Sequence, residues 1–122
     1  MQALQLLDDH SESPKESETR AIIVLAGLPR PRANVEIHAP DGRFIARVDL
    51  LFEDYAEVLE YHGDQHRTDR RQWRRDRTRE ADLESVGYHV TEVTDDDLHP
   101  PDAMLDRLRR ILISKGWRPP VK

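Results

Sequence analysis

The sequence predicts a single α/β domain in which helices and strands follow in the order αβββαβα. Three strand-like segments come before residue 63, and a long arginine-rich helical segment separates the third of them from a fourth. A chain of 122 residues is long enough for one hydrophobic core. Short turns make the first three strands an antiparallel meander. A helical crossover makes the fourth strand parallel to the third.

The first helix is expected to begin at Ser13. Pro14 suits the first helical position, and Glu16 lies three residues after Ser13, where it can complete a capping box. Gly27 and Pro29 end the helix. The cap is a sufficient structural reason for Glu16, so a catalytic role of this residue has to compete with it.

Three strand-like segments follow. Residues 34–39 alternate between apolar and polar side chains, as in a half-buried strand. Asp41 and Gly42 predict a hairpin turn, because glycine readily adopts the positive φ of such turns. The second strand is expected near residues 45–52 and the third near residues 56–62.

Side chains alternate between the two faces of a strand. Arg47 and Asp49 are therefore expected on one face of the second strand, and Glu60 and His62 together on one face of the third. The opposite, apolar face of the second strand comprises Phe44, Ala46, Val48, Leu50 and Phe52.

The remaining elements are a helix, a strand and a helix. Thr68 or Asp69 can cap the long helix, which is expected to end before Gly87. The fourth strand is expected over residues 88–94, and residues 100–102 begin the last helix. The folded domain is expected over residues 13–114, with a flexible leader over residues 1–12 and a tail over residues 115–122.

Composition excludes several classes of protein. The chain has no cysteine, which rules out disulfides, thiolate zinc sites and thiol nucleophiles. No apolar run approaches the ~20 residues of a membrane span, and no signal peptide is evident. A cytoplasmic protein without membrane contact is the expectation.

Arginines are concentrated in one part of an acidic chain. The net charge is -5, yet seven of the 16 arginines fall between Arg67 and Arg79. Such a local basic surface can bind phosphate. An equally weighted alternative is a solvated helix face, on which acids such as Asp69, Asp76 and Glu80 pair with the arginines. Trp73, in the same segment, is expected to anchor the helix in the core.

Two carboxylates and an imidazole are expected around one point of the sheet. Asp49 and Glu60 lie on neighbouring strands, and Mg²⁺ is usually held by one or two carboxylates together with waters and substrate phosphate. His62 could transfer a proton near neutral pH. Each acid alone is as readily an ordinary exposed strand residue, so it is the combination that points to a metal site.

With these residues the chain resembles the PD-(D/E)XK, or restriction-endonuclease-like, nucleases. More closely, it is similar to small bacterial endonuclease-domain proteins related to very short patch repair (Vsr) endonucleases. The resemblance depends on Asp49 on one strand, followed by Glu60 and a basic residue on the next strand, within the αβββαβ order. The resemblance covers about residues 13–112, through the segments 14–17, 46–50, 60–63, 66–67, 72–76, 87–90 and 97–98 together with Arg20 and Arg79.

The resemblance implies metal-dependent cleavage of DNA. Asp49, Glu60 and Glu16 would be ligands of Mg²⁺ or Mn²⁺, and either His62 or His66 would handle protons, since the lysine of the general pattern is missing. His62 stands where these proteins usually have aspartate, and Val48 stands where they have proline. The residues that would contact DNA phosphates or orient the acids are Arg20, Arg67, Arg70, Arg74 and Arg79.

Two other functions compete with a deoxyribonuclease. One is a non-catalytic nucleic-acid-binding or antitoxin-type regulatory module on a nuclease fold. It gains weight from His62 and from the short leader, which cannot form the winged-helix domain of many similar proteins, so that a partner protein would have to supply targeting. The other is a protein-interaction domain whose arginine-rich helix meets an acidic partner. Oligomeric state, DNA specificity and pathway are left open by the sequence.

Overall fold

The computed structural model describes residues 13–63 and 69–120. Within these ranges the chain forms four α-helices and four strands, with a short 3₁₀ turn, Glu53–Tyr55, between the second and third strands. The elements are α1 (Pro14–Leu25), β1 (Arg32–His38), β2 (Phe44–Phe52), β3 (Glu57–Tyr61), α2 (Arg70–Ser85), β4 (His89–Val93), α3 (Asp95–Leu98) and α4 (Asp102–Ser114).

The four strands form one mixed sheet in the order β1-β2-β3-β4. β1 pairs antiparallel with β2, and β2 pairs antiparallel with β3. β4 lies parallel to β3, with Glu60 opposite Glu92. The expected mixed α/β sheet is therefore confirmed. The helical crossover through α2 explains the parallel pair, because two parallel strands cannot be joined by a tight turn.

Helices cover both faces of the sheet. One core cluster joins Ile23 of α1 and Leu108 of α4 to alternate residues of the strands, such as Leu59. The second cluster joins Leu83 of α2 to Val58, on the opposite face of β3. The domain is consequently a three-layer arrangement in which each helix layer buries its apolar side against the sheet.

The expected alternation along β2 is wrong at its centre. Ala46 and Val48 pack in the cluster below α2, whereas Leu50 and Phe52 pack in the cluster on the other face. The faces exchange at Asp49. Asn34, which would lie opposite Asp49 in β1, adopts a left-handed φ of 53°, and the register skips this position. Such a local irregularity re-aims side chains without ending the strand.

The two tryptophans have opposite environments, because Trp73 is exposed and Trp117 is buried in the core. Trp73 is 56% exposed and stacks with the Arg77 guanidinium, 5.6 Å from the ring centroid, so its predicted role as a core anchor is wrong. The buried residue of α2 is instead Leu83, near the end of the helix. Trp117, beyond the last helix, is buried in the cluster formed with α4.

A fully buried acid lies at the start of β3. Glu57 is 0% exposed, and its carboxylate accepts a hydrogen bond of 2.5 Å from the Thr91 hydroxyl. His89 Nδ1 lies 2.8 Å from one oxygen, and Lys115 Nζ lies 3.5 Å from the same oxygen. This cluster, which we call the Glu57 cluster, ties β3 to β4 and to the residue after α4. A buried carboxylate requires such partners.

The first helix begins as predicted. The Ser13 hydroxyl accepts from the Glu16 amide at 3.2 Å, and the Glu16 carboxylate accepts from the Ser13 amide at 3.2 Å. Asp69 caps α2 through the Gln72 amide at 3.0 Å. Of the helices in the described ranges, none has the length and apolarity needed to cross a membrane.

We expect Ser13→Ala to lower the free energy of unfolding by about 1 kcal/mol, because the Glu16 amide loses the hydroxyl oxygen to which it donates. Urea unfolding followed by circular dichroism measures the change. Ser85→Ala is the control, since the Ser85 hydroxyl only donates to the Asp82 carbonyl near the end of α2. Equal losses in both variants would contradict a specific capping contribution.

Candidate acidic site and its arginine groove

At Asp49 and Glu60, hydrogen bonds between backbone amides and side-chain carboxylates replace the regular backbone pairing of β2 with β3. Regular pairing runs from Phe52–Glu57 to Leu50–Leu59 and stops there. At the next position the Asp49 amide donates to Glu60 Oε2 at 3.2 Å, and the Tyr61 amide donates to Asp49 Oδ2 at 3.1 Å. Each acid is thus held by the backbone of the other strand. Two carboxylates are fixed at the point where the strands separate.

Glu16 brings a third carboxylate to this point. The capping box fixes its position at the start of α1, where its Oε1 accepts from the Ser13 amide. Its carboxyl group is near enough to the Asp49 carboxyl to raise the pKa of Asp49. We call Glu16, Asp49 and Glu60 the acidic site. Glu16 therefore serves the cap and the site together.

The surroundings of Asp49 in the acidic site disfavour its ionised form. Burial raises the pKa of the Asp49 carboxyl, the Glu16 charge raises it further, and the hydrogen bond from the Tyr61 amide opposes both effects. The resulting pKa is about 6, against 3.8 for an ordinary aspartate. Two like charges this close repel each other, so a cation would be attracted here.

We expect Asp49→Asn to gain stability relative to the wild type as the pH rises from about 4 to about 6. The folded protein holds the Asp49 proton more tightly than the unfolded chain, so the wild type loses stability through this interval, whereas asparagine does not titrate. Urea unfolding in metal-free buffer across this range measures the difference. A difference that does not change with pH would contradict the raised pKa.

Glu60 is clamped by Arg79 of α2. Glu60 is 9% exposed, and the guanidinium donates to Oε1 at 2.5 Å and to Oε2 at 2.7 Å. The same guanidinium also donates to the Arg47 carbonyl. This two-pronged contact is a strong form of ion pair, since both donors are aligned with both acceptors. It neutralises the charge of Glu60.

Asp49 and Glu16 are the two members of the acidic site whose carboxylates could hold a hard divalent cation. One or two carboxylates with waters suffice for Mg²⁺. Glu60 is engaged by Arg79. In residues 13–63 and 69–120, no group of three His, Asp or Glu side chains is arranged as a metal site. Carboxylate oxygens are the ligand type that magnesium and manganese favour, whereas structural zinc sites are built mainly from thiolate and imidazole ligands.

A groove of about 450 Å³ opens beside the acidic site, between the first half of β2 and the arginine-rich face of α2. Arg79 lines this groove and clamps Glu60, so it joins the two features. We call it the arginine groove. It is lined by Phe44, Ile45, Ala46, Arg47, Arg74, Arg75, Thr78, Arg79 and Asp82.

The other site residues expected from the sequence are not members of the acidic site. The His62 ring pairs with Glu92 of β4, with Nε2 at 3.1 Å, and Arg77 contacts the same carboxylate at 2.5 Å. Arg20 lines a separate cavity of about 310 Å³ on α1, and Arg70 is exposed in the first turn of α2. The expectations for His66 and Arg67 fall outside the described residues.

Of the groove residues, only Arg74 and Arg79 are expected from the sequence as nucleic-acid contacts; the additional aromatic and basic ones are Phe44, Arg47 and Arg75. Arg75 could have been predicted from the sequence, because helical spacings of three and four residues place it on one face with Thr78, Arg79 and Asp82. Arg47 and Phe44 become groove residues only through the packing of α2 across β2, which no local pattern indicates.

The chain is similar to two proteins of Mycobacterium tuberculosis, from strains CDC 1551 / Oshkosh and ATCC 25618 / H37Rv, each described as uncharacterized. The identity is 31% over 110 residues, which is 89% of this chain. The chain spans 40% of the length of these curated relatives. No family model matches the chain, and no solved structure matches it.

Proposed function

We propose that this domain is a restriction-endonuclease-like, Vsr-related nuclease that hydrolyses DNA phosphodiester bonds with Mg²⁺ or Mn²⁺. The observation that carries the proposal is the convergence of Glu16, Asp49 and Glu60 where the β2–β3 ladder ends. Rigid secondary-structure elements supply all three carboxylates, which is what a precise catalytic constellation needs.

Asp49 and Glu16 would hold the metal, and Glu60 would lie beside it. A bound Mg²⁺ or Mn²⁺ polarises a phosphoryl oxygen and lowers the pKa of a coordinated water. Because the Asp49 pKa is about 6, this carboxylate is ionised at neutral pH and available as a ligand. Burial of Asp49 restricts competing water, which strengthens its attraction for a cation.

The arginine groove supplies the means to hold the substrate. Phosphate contacts account for most of the affinity for DNA, and guanidinium groups bind phosphate oxygens well. Arg74 and Arg79 line the groove, and Arg79 also contacts Glu60. A phosphate bound by Arg79 would therefore lie next to the acidic site.

Proton transfer is assigned to His62 or His66. His62 lies after the end of β3, one strand away from Glu92, whose carboxylate pairs with its ring. That carboxylate would orient the imidazole ring. Separate His62→Gln and His66→Gln variants assign the role, since only the proton carrier changes the pH dependence of cleavage.

A non-catalytic DNA-binding module is the second candidate. The clamp of Arg79 on Glu60 favours it, because an acid already neutralised by arginine attracts a metal less strongly. This candidate keeps the arginine groove as a phosphate-binding surface and needs no metal. It predicts DNA binding that weakens with added salt but involves no cleavage.

Incubation of supercoiled plasmid with the protein and MnCl₂ tests the proposal, with EDTA as the matched blank. We expect nicked circles with the metal and none with EDTA. Calorimetric titration with Mn²⁺ on the wild type and Asp49→Asn gives an independent readout, and we expect binding only to the wild type. Salt-sensitive DNA binding without cleavage or Mn²⁺ binding would favour the non-catalytic module.

A further inference from the structure

The floor of the arginine groove is apolar. It is formed by β2 at Phe44, Ile45 and Ala46. Phe44 is 54% exposed, and the His38 ring meets it edge-on, with centroids 5.7 Å apart and an interplanar angle of 74°. Phe44 therefore contacts His38 while about half of its surface stays exposed. Exposed aromatic surface in a charged protein is a candidate binding element.

The walls of the groove are cationic. Arg47, Arg74, Arg75 and Arg79 all line it, with Asp82 as the only acid among the lining residues. Arg47 is paired with Glu36 at 2.8 Å, and Arg79 with Glu60. Among the residues that the structure describes, Arg74 makes no ion pair. The chain as a whole has a net charge of -5, so the guanidinium groups make the groove a local positive surface on an acidic protein.

An apolar floor between arginine walls matches single-stranded DNA better than duplex. A single strand offers unstacked bases to an aromatic side chain and its phosphates to arginines, and this pairing of contacts is how proteins hold single strands. A duplex offers the phosphates, but its base faces are stacked inside. Phe44 and Ile45 would gain no contact from it.

Because Arg79 reaches from the groove to Glu60, a strand in the groove has a phosphate beside the acidic site. We infer that the arginine groove binds single-stranded DNA, with a base on Phe44 and its flanking phosphates on the arginines. This substrate class rests on the proposed nuclease function. The binding itself does not require the acidic site to be active.

Fluorescence anisotropy in EDTA tests the inference, with a labelled oligothymidylate and a duplex of equal length as probes. We expect the wild type to bind the single strand about tenfold more tightly than the duplex. Phe44→Ala is expected to remove most of that preference while leaving duplex affinity unchanged. Arg74→Ala is expected to weaken both and to reduce their salt dependence.

Leu25→Ala is the matched control, because Leu25 is an apolar residue 87% exposed on α1, away from the groove. Circular dichroism verifies that each variant is folded. Equal affinity of the wild type for both probes, or a Phe44→Ala variant with unchanged preference, would overturn the inference. Since no metal is present, an absence of cleavage in the plasmid assay leaves this result standing, and the two proposals fail separately.

Discussion

Asp49→Asn is expected to lower the rate of metal-dependent plasmid nicking by about 10²–10³-fold. A catalytic metal contributes several kcal/mol to stabilisation of the transition state, and each 1.36 kcal/mol corresponds to a factor of ten. Asparagine keeps the oxygen that accepts from the Tyr61 amide but removes the charge that would bind the cation. The initial rate of conversion of supercoiled to nicked plasmid measures the loss.

Glu53→Gln is the matched control for this experiment. Glu53 is an exposed acid after β2 whose ion pair with Arg32, at 2.9 Å, lies outside the acidic site. We expect it to nick plasmid at the wild-type rate. Asp49→Asn should remain folded, because it removes a repulsion with Glu16. Nicking that persists at full rate in Asp49→Asn would exclude the proposed metal-dependent mechanism.

Arg79→Ala is expected to reduce the free energy of unfolding by about 3–5 kcal/mol. Glu60 is 9% exposed, and the substitution leaves its carboxylate buried without its cation. The Arg47 carbonyl loses a donor as well. Urea unfolding at neutral pH measures the change. Added Mn²⁺ is expected to restore more stability to this variant than to the wild type, because Glu60 becomes available as a third ligand and binding to the folded state stabilises it.

Arg77→Ala provides the comparison on the same helix. Arg77 contacts Glu92 at 2.5 Å, the same distance as the contact of Arg79 with Glu60, but the Glu92 side chain is 34% exposed. Water can solvate Glu92 after the substitution, so a loss of about 1 kcal/mol is expected. Similar losses in both variants would show that burial of Glu60 does not govern the strength of the clamp.

Local patterns in the sequence account for the mixed α/β sheet and for the caps of α1 and α2. Ser13 and Glu16 are three residues apart, and Asp69 caps α2 through Gln72, so each prediction depends on a few adjacent residues. The order of the strands follows equally from turn residues and from the length of the crossover.

Features that depend on packing between distant segments are not predictable in this way. The exchange of faces at Asp49 depends on Asn34 in the neighbouring strand, and the exposure of Trp73 depends on how far α2 extends along the sheet. The meeting of Asp49 with Glu60 follows from hairpin geometry. The clamp on Glu60 does not, because Arg79 is one of several arginines on a helix whose rotation against the sheet is set by Leu83.

The Glu57 cluster has a consequence for how the chain folds during synthesis. β3 belongs to the middle of the chain, but the ammonium that approaches its buried carboxylate is that of Lys115. Trp117 completes the core from still farther along. The contacts that complete the surroundings of β3 can therefore form only after the chain has been synthesised as far as Lys115 and Trp117.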